Sequence, residues 1–299
     1  MPQQTRTCRR GAVTLLLCAL WLGSAATSAA QDDASAGIPI DDATVRQACG
    51  SCHASDEAGR MSRISYRRTT PEGWQQTIRR MVTLNDVPLD PATARDVVRY
   101  LSNHLGLAPE EAVPVRWEAE RRADDQPYED ADIQETCTTC HSLGRVLSQR
   151  RTPEEWQLVT DMHRGYYPFV DFQAFGVPGE EPAAVDVAVE HFSERLPLET
   201  ADWSAWSATM RPARLAGTWA LRGHSPGDGP VYGEMTVTPV AGTDDEFTTE
   251  TRYVYAADGR EVRRSGRAIV YTGFQWRGRS TTGPEDEQGL REVLFVERD

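Results

Sequence analysis

Two short segments hold the residues best placed to do chemistry: Cys49-Gly50-Ser51-Cys52-His53 and Cys137-Thr138-Thr139-Cys140-His141. Two thiols about one helical turn apart can each form a thioether with a haem vinyl group, and the adjacent His is then held under the ring with an imidazole nitrogen on the iron. A zinc site would use the Cys pairs without requiring a His directly after each second Cys. A thioredoxin-like redox pair would not recur in one chain. The spacing therefore implies two covalent haem c groups, with Cys49, Cys52, Cys137 and Cys140 as attachment points and His53 and His141 as proximal ligands.

The sequence repeats around these motifs. Arg68-Thr69-Thr70-Pro71-Glu72-Gly73-Trp74-Gln75 returns as Arg150-Arg151-Thr152-Pro153-Glu154-Glu155-Trp156-Gln157. Aligned on the Pro and Trp positions, Met81 falls opposite His163, each two turns beyond its Trp and on the same helix face. Met and His share little as packing residues, yet both donate a lone pair to iron. Their interchange marks Met81 and His163 as the distal ligands of the first and second haem. Met61 and His104 are rivals at the first, Met162 and His191 at the second. Met on iron raises the reduction potential relative to a second His. Electrons are therefore expected to enter at the Cys137–His141 haem and leave from the Cys49–His53 haem. Arg68 and Arg150 also coincide in the repeat; they are candidate partners of haem propionates, a solvated face being the alternative.

The elements that position these groups are legible too. Thr70 and Thr152 as N-caps, each followed by Pro and an acidic first turn, start a helix in both copies, and Glu155 completes a Thr-x-x-Glu capping box. A second amphipathic helix closes each copy. One starts at Asp90-Pro91 and buries Val97, Val98, Leu101 and Leu105; the other starts near Glu181-Pro182 and buries Val185, Val189, Phe192 and Leu196. Three helices around a haem is the cytochrome c plan. From about Arg214 the period changes to alternation, with strands expected at Leu215–Leu221, Val231–Val240, Glu246–Tyr255, Val262–Tyr271, Phe274–Ser280 and Leu290–Val296. The expected architecture is multidomain α + β. Residues 31–112 and 131–205 form two tandem helical cytochrome c-like haem units joined by a linker at 113–130, and 213–299 form a small antiparallel β-barrel or sandwich. The β region shows no nucleophile–base pattern and reads as a docking or spacing domain.

The chain of 299 residues is acidic, with a net charge of −13 and no lysine, which leaves no overall field for nucleic acid. Arg6, Arg9 and Arg10, the apolar run Ala12–Leu22 and the small residues to Ala30 form a signal peptide with cleavage expected after Ala30. No other stretch is apolar enough to span a membrane, so a periplasmic protein is expected. Cleavage removes Cys8 and Cys18, which leaves every remaining cysteine in a haem motif.

The two Cys-x-x-Cys-His units, each followed by Thr-Pro-Glu-x-Trp, precede a β region carrying Arg267-Ala268-Ile269-Val270-Tyr271-Thr272-Gly273-Phe274-Gln275-Trp276-Arg277-Gly278. This order resembles the alpha subunit of quinohaemoprotein amine dehydrogenase. The resemblance implies a dihaem cytochrome c subunit of a periplasmic enzyme, completed by a β-propeller subunit and a small subunit carrying cysteine tryptophylquinone. Primary amines would be deaminated at that quinone, and electrons would leave through the haems to a soluble copper protein or cytochrome c. In that family the alpha subunit continues through two further β domains, and more β structure is expected after Asp299. The chain itself is then an electron-transfer subunit with no catalytic residues of its own. A free-standing dihaem shuttle and a dihaem peroxidase are the alternatives.

Overall fold

The computed structural model describes residues 36–117, 127–173 and 184–297. The expected leader, the middle of the linker and the Glu181-Pro182 helix start lie outside the described residues. The rest forms a helical region in two copies, a two-stranded ladder between those copies and a six-stranded sheet.

Each copy opens with an Asp-capped helix that ends at its Cys motif. In α1 (Ala43–Cys49) Asp42 accepts from the Val45 N–H and Val45 is buried; in α5 (Ala131–Thr138) Asp130 accepts from Ile133, which is also buried. Between them come β1 (Arg67–Thr69), α2 (Pro71–Leu84), α3 (Pro91–His104) and the single turn α4 (Pro109–Ala112). The second copy continues with α6 (Gly144–Leu147), β2 (Gln149–Arg151), α7 (Pro153–Tyr166), α8 (Val170–Gln173), α9 (Ala184–Arg195) and α10 (Ala201–Thr209).

The repeat read from sequence is repeated in hydrogen bonds. Thr70 and Thr152 cap α2 and α7. Trp74 donates its indole N–H to Leu105 O at 2.9 Å, and Trp156 donates to Leu196 O at 3.3 Å. The same two carbonyls, at the ends of the closing helices, accept from the Thr69 and Arg151 backbones. Each Trp thus ties the start of one helix to the end of the next, inside cores built on Val97 and Leu101 in one copy and on Phe192 and Leu196 in the other. The expected capping box forms only in part. Thr152 Oγ1 accepts from the Glu155 N–H, but the Thr152 N–H is taken by Tyr66 O, and the Glu155 carboxylate turns to arginines instead.

β1 and β2 pair antiparallel with Arg68 opposite Arg150, so the equivalent residues of the two copies face each other across a local two-fold. The sheet is a meander of β3 (Gly217–Ser225), β4 (Gly229–Pro239), β5 (Glu246–Tyr255), β6 (Glu261–Tyr271), β7 (Gln275–Thr281) and β8 (Leu290–Phe295) in sequential order. All six expected strands are present. The expected barrel or sandwich is corrected to one open, curled sheet: β3 and β8 are its edges, and no second sheet packs on it among the described residues. Alternation specifies strands and one apolar face, here Met235, Val237, Phe247, Ala268, Val270 and Trp276, but closure depends on strand number and stagger.

The sheet is fastened to the helices by polar contacts. Glu72 in α2 takes Arg277 at 2.5 Å and Arg291 at 2.9 Å. The β6–β7 turn docks on α3 and α10 through Thr272, whose N–H donates to Asn103 Oδ1 at 2.6 Å and whose carbonyl accepts from the Trp206 indole at 3.0 Å. Thr272 has φ 51°, an uncommon conformation for a β-branched residue that these bonds hold in place.

Candidate haem sites

Cys49 is the last residue of α1, and the turn that follows is closed by Cys52 and His53 N–H groups donating to Cys49 O at 3.2 and 2.9 Å. Cys137 lies in the last turn of α5. None of Cys49, Cys52, Cys137 and Cys140 is in a disulfide. Burial raises the Cys49 thiol, helped by the charge of Cys52, and burial alone pushes Cys137 up to about 12. Both therefore stand as neutral thiols near neutral pH.

The histidines are oriented by backbone carbonyls. His53 Nδ1 meets Ser62 O at 2.8 Å, His141 Nδ1 meets Ser142 O at 3.0 Å, and His163 Nδ1 meets Val159 O at 2.7 Å. A carbonyl only accepts, so in each neutral ring Nδ1 carries the proton and Nε2 keeps its lone pair for a metal. Burial lowers the pKa of His141, and the charges of His163 and Arg145 add to this against the Ser142 bond, so the donor form is favoured.

The His141 and His163 rings stand 6.1 Å apart between centroids. Two imidazoles on opposite sides of one metal, with nitrogens about 2 Å from it, have centroids about 6 Å apart. Residues from α7 and from the second Cys motif, distant in sequence, are thus brought to the separation that one iron between them needs. Met81 lies half-buried on α2, where the Asn85 side-chain amide approaches its sulfur at 3.9 Å.

The rival ligands are otherwise engaged. Met61 is wholly buried in the first core. His104 Nε2 is bonded to Pro39 O at 2.6 Å, and its ring stacks on Tyr100. His191 Nε2 is bonded to the Tyr128 hydroxyl at 2.9 Å. Met162 points outward, 42% exposed. No three His, Cys, Asp or Glu side chains converge on a metal position among the described residues, which leaves the Cys pairs without a zinc-type ligand set. Paired cysteines, each pair followed by a His whose Nδ1 is bonded to a carbonyl, suit the vinyl groups and iron of a haem.

Arg68 and Arg150, the candidate propionate partners, are both engaged by groups of the protein itself. Arg68 is wholly buried and all its donors are used. It forms a two-pronged pair with Glu111 at 2.8 Å on both sides, and it donates to Gly106 O at 2.9 Å, to Leu198 O at 2.6 Å and to Thr200. Arg150 meets Glu111 from the other side at 3.2 Å and donates to Leu147 O and Gln149 O. One buried carboxylate from α4 therefore clasps the equivalent arginines of both copies. Sequence reasoning missed Glu111. It also missed the orienting carbonyls of Ser62, Ser142 and Val159, because a backbone carbonyl leaves no residue signature.

Among curated proteins, none matches the chain. Residues 212–299 match quinohemoprotein amine dehydrogenase, alpha subunit domain II. Residues 40–202, more than half the chain and including both Cys-x-x-Cys-His motifs, match the haem-binding region of the alpha subunit of the same enzyme, and the chain therefore belongs to the quinohemoprotein amine dehydrogenase alpha-subunit family.

Proposed function

We propose that this chain is the dihaem c-type electron-transfer subunit of a periplasmic quinohemoprotein amine dehydrogenase. The observation that carries the reading is the pairing of His141 with His163 across 6.1 Å beside one Cys pair, in a chain whose repeat supplies a second Cys pair, a second His and Met81. When bound, each haem supplies an iron that takes up and releases one electron. Cys49, Cys52, Cys137 and Cys140 anchor the two haems, His53 and His141 bind from the proximal side, and Met81 and His163 bind from the distal side. With two donor side chains available to each iron, the chemistry the haems would supply is electron transfer rather than peroxide reduction, which needs an open or displaceable site.

A quinone on a small partner subunit, held with a β-propeller subunit, is the electron source, and a copper protein or cytochrome c is the acceptor. A haem held by His141 and His163 would have the lower potential and would be the point of entry for electrons, and one held by His53 and Met81 would be the point of exit. No helix among the described residues is long and apolar enough to cross a membrane, which fits an exported protein working with such partners.

The chain, produced with haem-attachment machinery, should gain the mass of two haems and show no amine oxidation alone. Pull-down from the native periplasm should bring the other two subunits. Amine turnover by the isolated chain, or a mass gain of fewer than two haems, would overturn the assignment.

A further inference from the structure

The end of α7 that carries His163 is tied down by an arginine. Arg164, in the last turn of α7, gives Nε and Nη2 to the two oxygens of Asp171 at 2.9 and 3.1 Å, and Nη1 and Nη2 to the two oxygens of Asp186 at 3.0 and 3.1 Å. Asp171 lies in the first turn of α8 and Asp186 in the first turn of α9. A single guanidinium thus joins three helices, with both of its forks used. A cation at one helix end and anions at two helix starts also match the sign of each helix dipole.

Exposed ion pairs hold little unless they are bidentate or networked. This one is both, and the side chains of Arg164, Asp171 and Asp186 are only 30%, 29% and 42% exposed. Two planar forks fix the guanidinium in position and in direction, which a lysine ammonium cannot do.

Apolar packing does little for this part of α7. Its buried residues are Glu155, Trp156 and Thr160, and none lies beyond Thr160. Met162 and Tyr166 are exposed. His163 Nδ1 meets Val159 O at 2.7 Å, but that bond is internal to α7 and moves with it. Beyond Thr160, the hydrogen bonds and ion pairs from α7 side chains to other helices come from Arg164 among the described residues. Under the alignment that puts Met81 opposite His163, Arg164 falls opposite Val82, so the clasp belongs to the copy with a histidine at the ligand position.

We propose that Arg164 is the positioning residue for His163, an inference that rests on His163 being the distal ligand of the second haem. The clasp on Asp171 and Asp186 holds the last turn of α7 where His163 faces His141 across 6.1 Å. Loosening it lets the end of α7 swing away, and His163 then leaves the iron for part of the time.

The test is carbon monoxide binding to the reduced, haem-loaded full chain. Apparent affinity for an added ligand scales with the fraction of iron from which His163 has left. His163→Ala marks the second-haem phase. Arg164→Ala and Arg164→Lys should each tighten binding in that phase about tenfold, because Lys keeps the charge without the two forks. Asp171→Asn with Asp186→Asn leaves α7 unaltered and should act the same way, which keeps the test open if an Arg164 variant fails to take up haem. Binding at the first haem should match wild type in every variant, a selectivity that a general loss of stability would not produce. Wild-type affinity in Arg164→Lys or in the double variant, or equal tightening at both haems, would overturn the positioning role. If His163→Ala itself leaves carbon monoxide binding unchanged, the ligation by His163 fails instead, and this proposal with it.

Discussion

Replacing Glu111 should open the joint between the two helical copies. Its carboxylate accepts two hydrogen bonds from Arg68 at 2.8 Å, one from Thr200 and one from the Ala108 N–H at 2.9 Å, and it pairs with Arg150 at 3.2 Å. The side chains of Arg68, Glu111 and Arg150 are 0%, 3% and 7% exposed. Glu111→Ala leaves two buried guanidiniums without their anion, and removing one partner of a buried pair costs about 3–5 kcal/mol. That is a large fraction of a typical domain stability of about 5–15 kcal/mol. Glu111→Gln keeps the shape and part of the hydrogen bonding, so about 2 kcal/mol is expected. Urea unfolding of the haem-loaded chain, followed by tryptophan fluorescence, measures both. Burial raises the Glu111 pKa, but the hydrogen bonds and charge of Arg68, with the charge of Arg150, outweigh it and leave the group below its ordinary value. A carboxyl with a depressed folded pKa contributes its full stability above the unfolded value of about 4.3 and loses it as pH falls through the folded one. Wild type should therefore lose this increment on acidification, and Glu111→Gln should not. A Glu111→Ala cost under about 1 kcal/mol would refute the clasp.

Three further outcomes are expected. His163→Ala should leave the second haem open to added imidazole, seen as a restored six-coordinate visible spectrum, whereas His191→Ala should leave the spectrum unchanged; identical behaviour of the two variants would remove His163 as a ligand. Met81→His should lower one of the two midpoint potentials and slow delivery to the external acceptor; if both potentials stay put, Met81 is a packing residue. Trp74→Phe loses the indole bond to Leu105 O and should cost about 1 kcal/mol in urea unfolding. No measurable loss would show that this tie is dispensable.

The repeat and all six strands could be read from sequence because each rests on short-range rules, and the same holds for the spacing within each Cys-x-x-Cys-His motif. Two cysteines and a His over five residues have their relative placement set by covalent reach. A Thr-Pro-acid start fixes a helix end locally, and alternation over six to eleven residues specifies a strand. The opposition of Met81 and His163 was inferable from the repeat, but only the fold could bring His163 to His141. The arginines mark the limit most clearly. Arg68 and Arg150 are identical in kind and aligned in the repeat, yet nothing near them in sequence names Glu111 or Leu198 as their partners. A guanidinium's partner is decided by where distant chain returns, and here the pairing of β1 with β2 put both arginines into a dry interface where one carboxylate had to serve them. Sheet closure is of the same kind. Each strand is written in its own residues, while whether β3 meets β8 depends on the accumulated twist and stagger of all six.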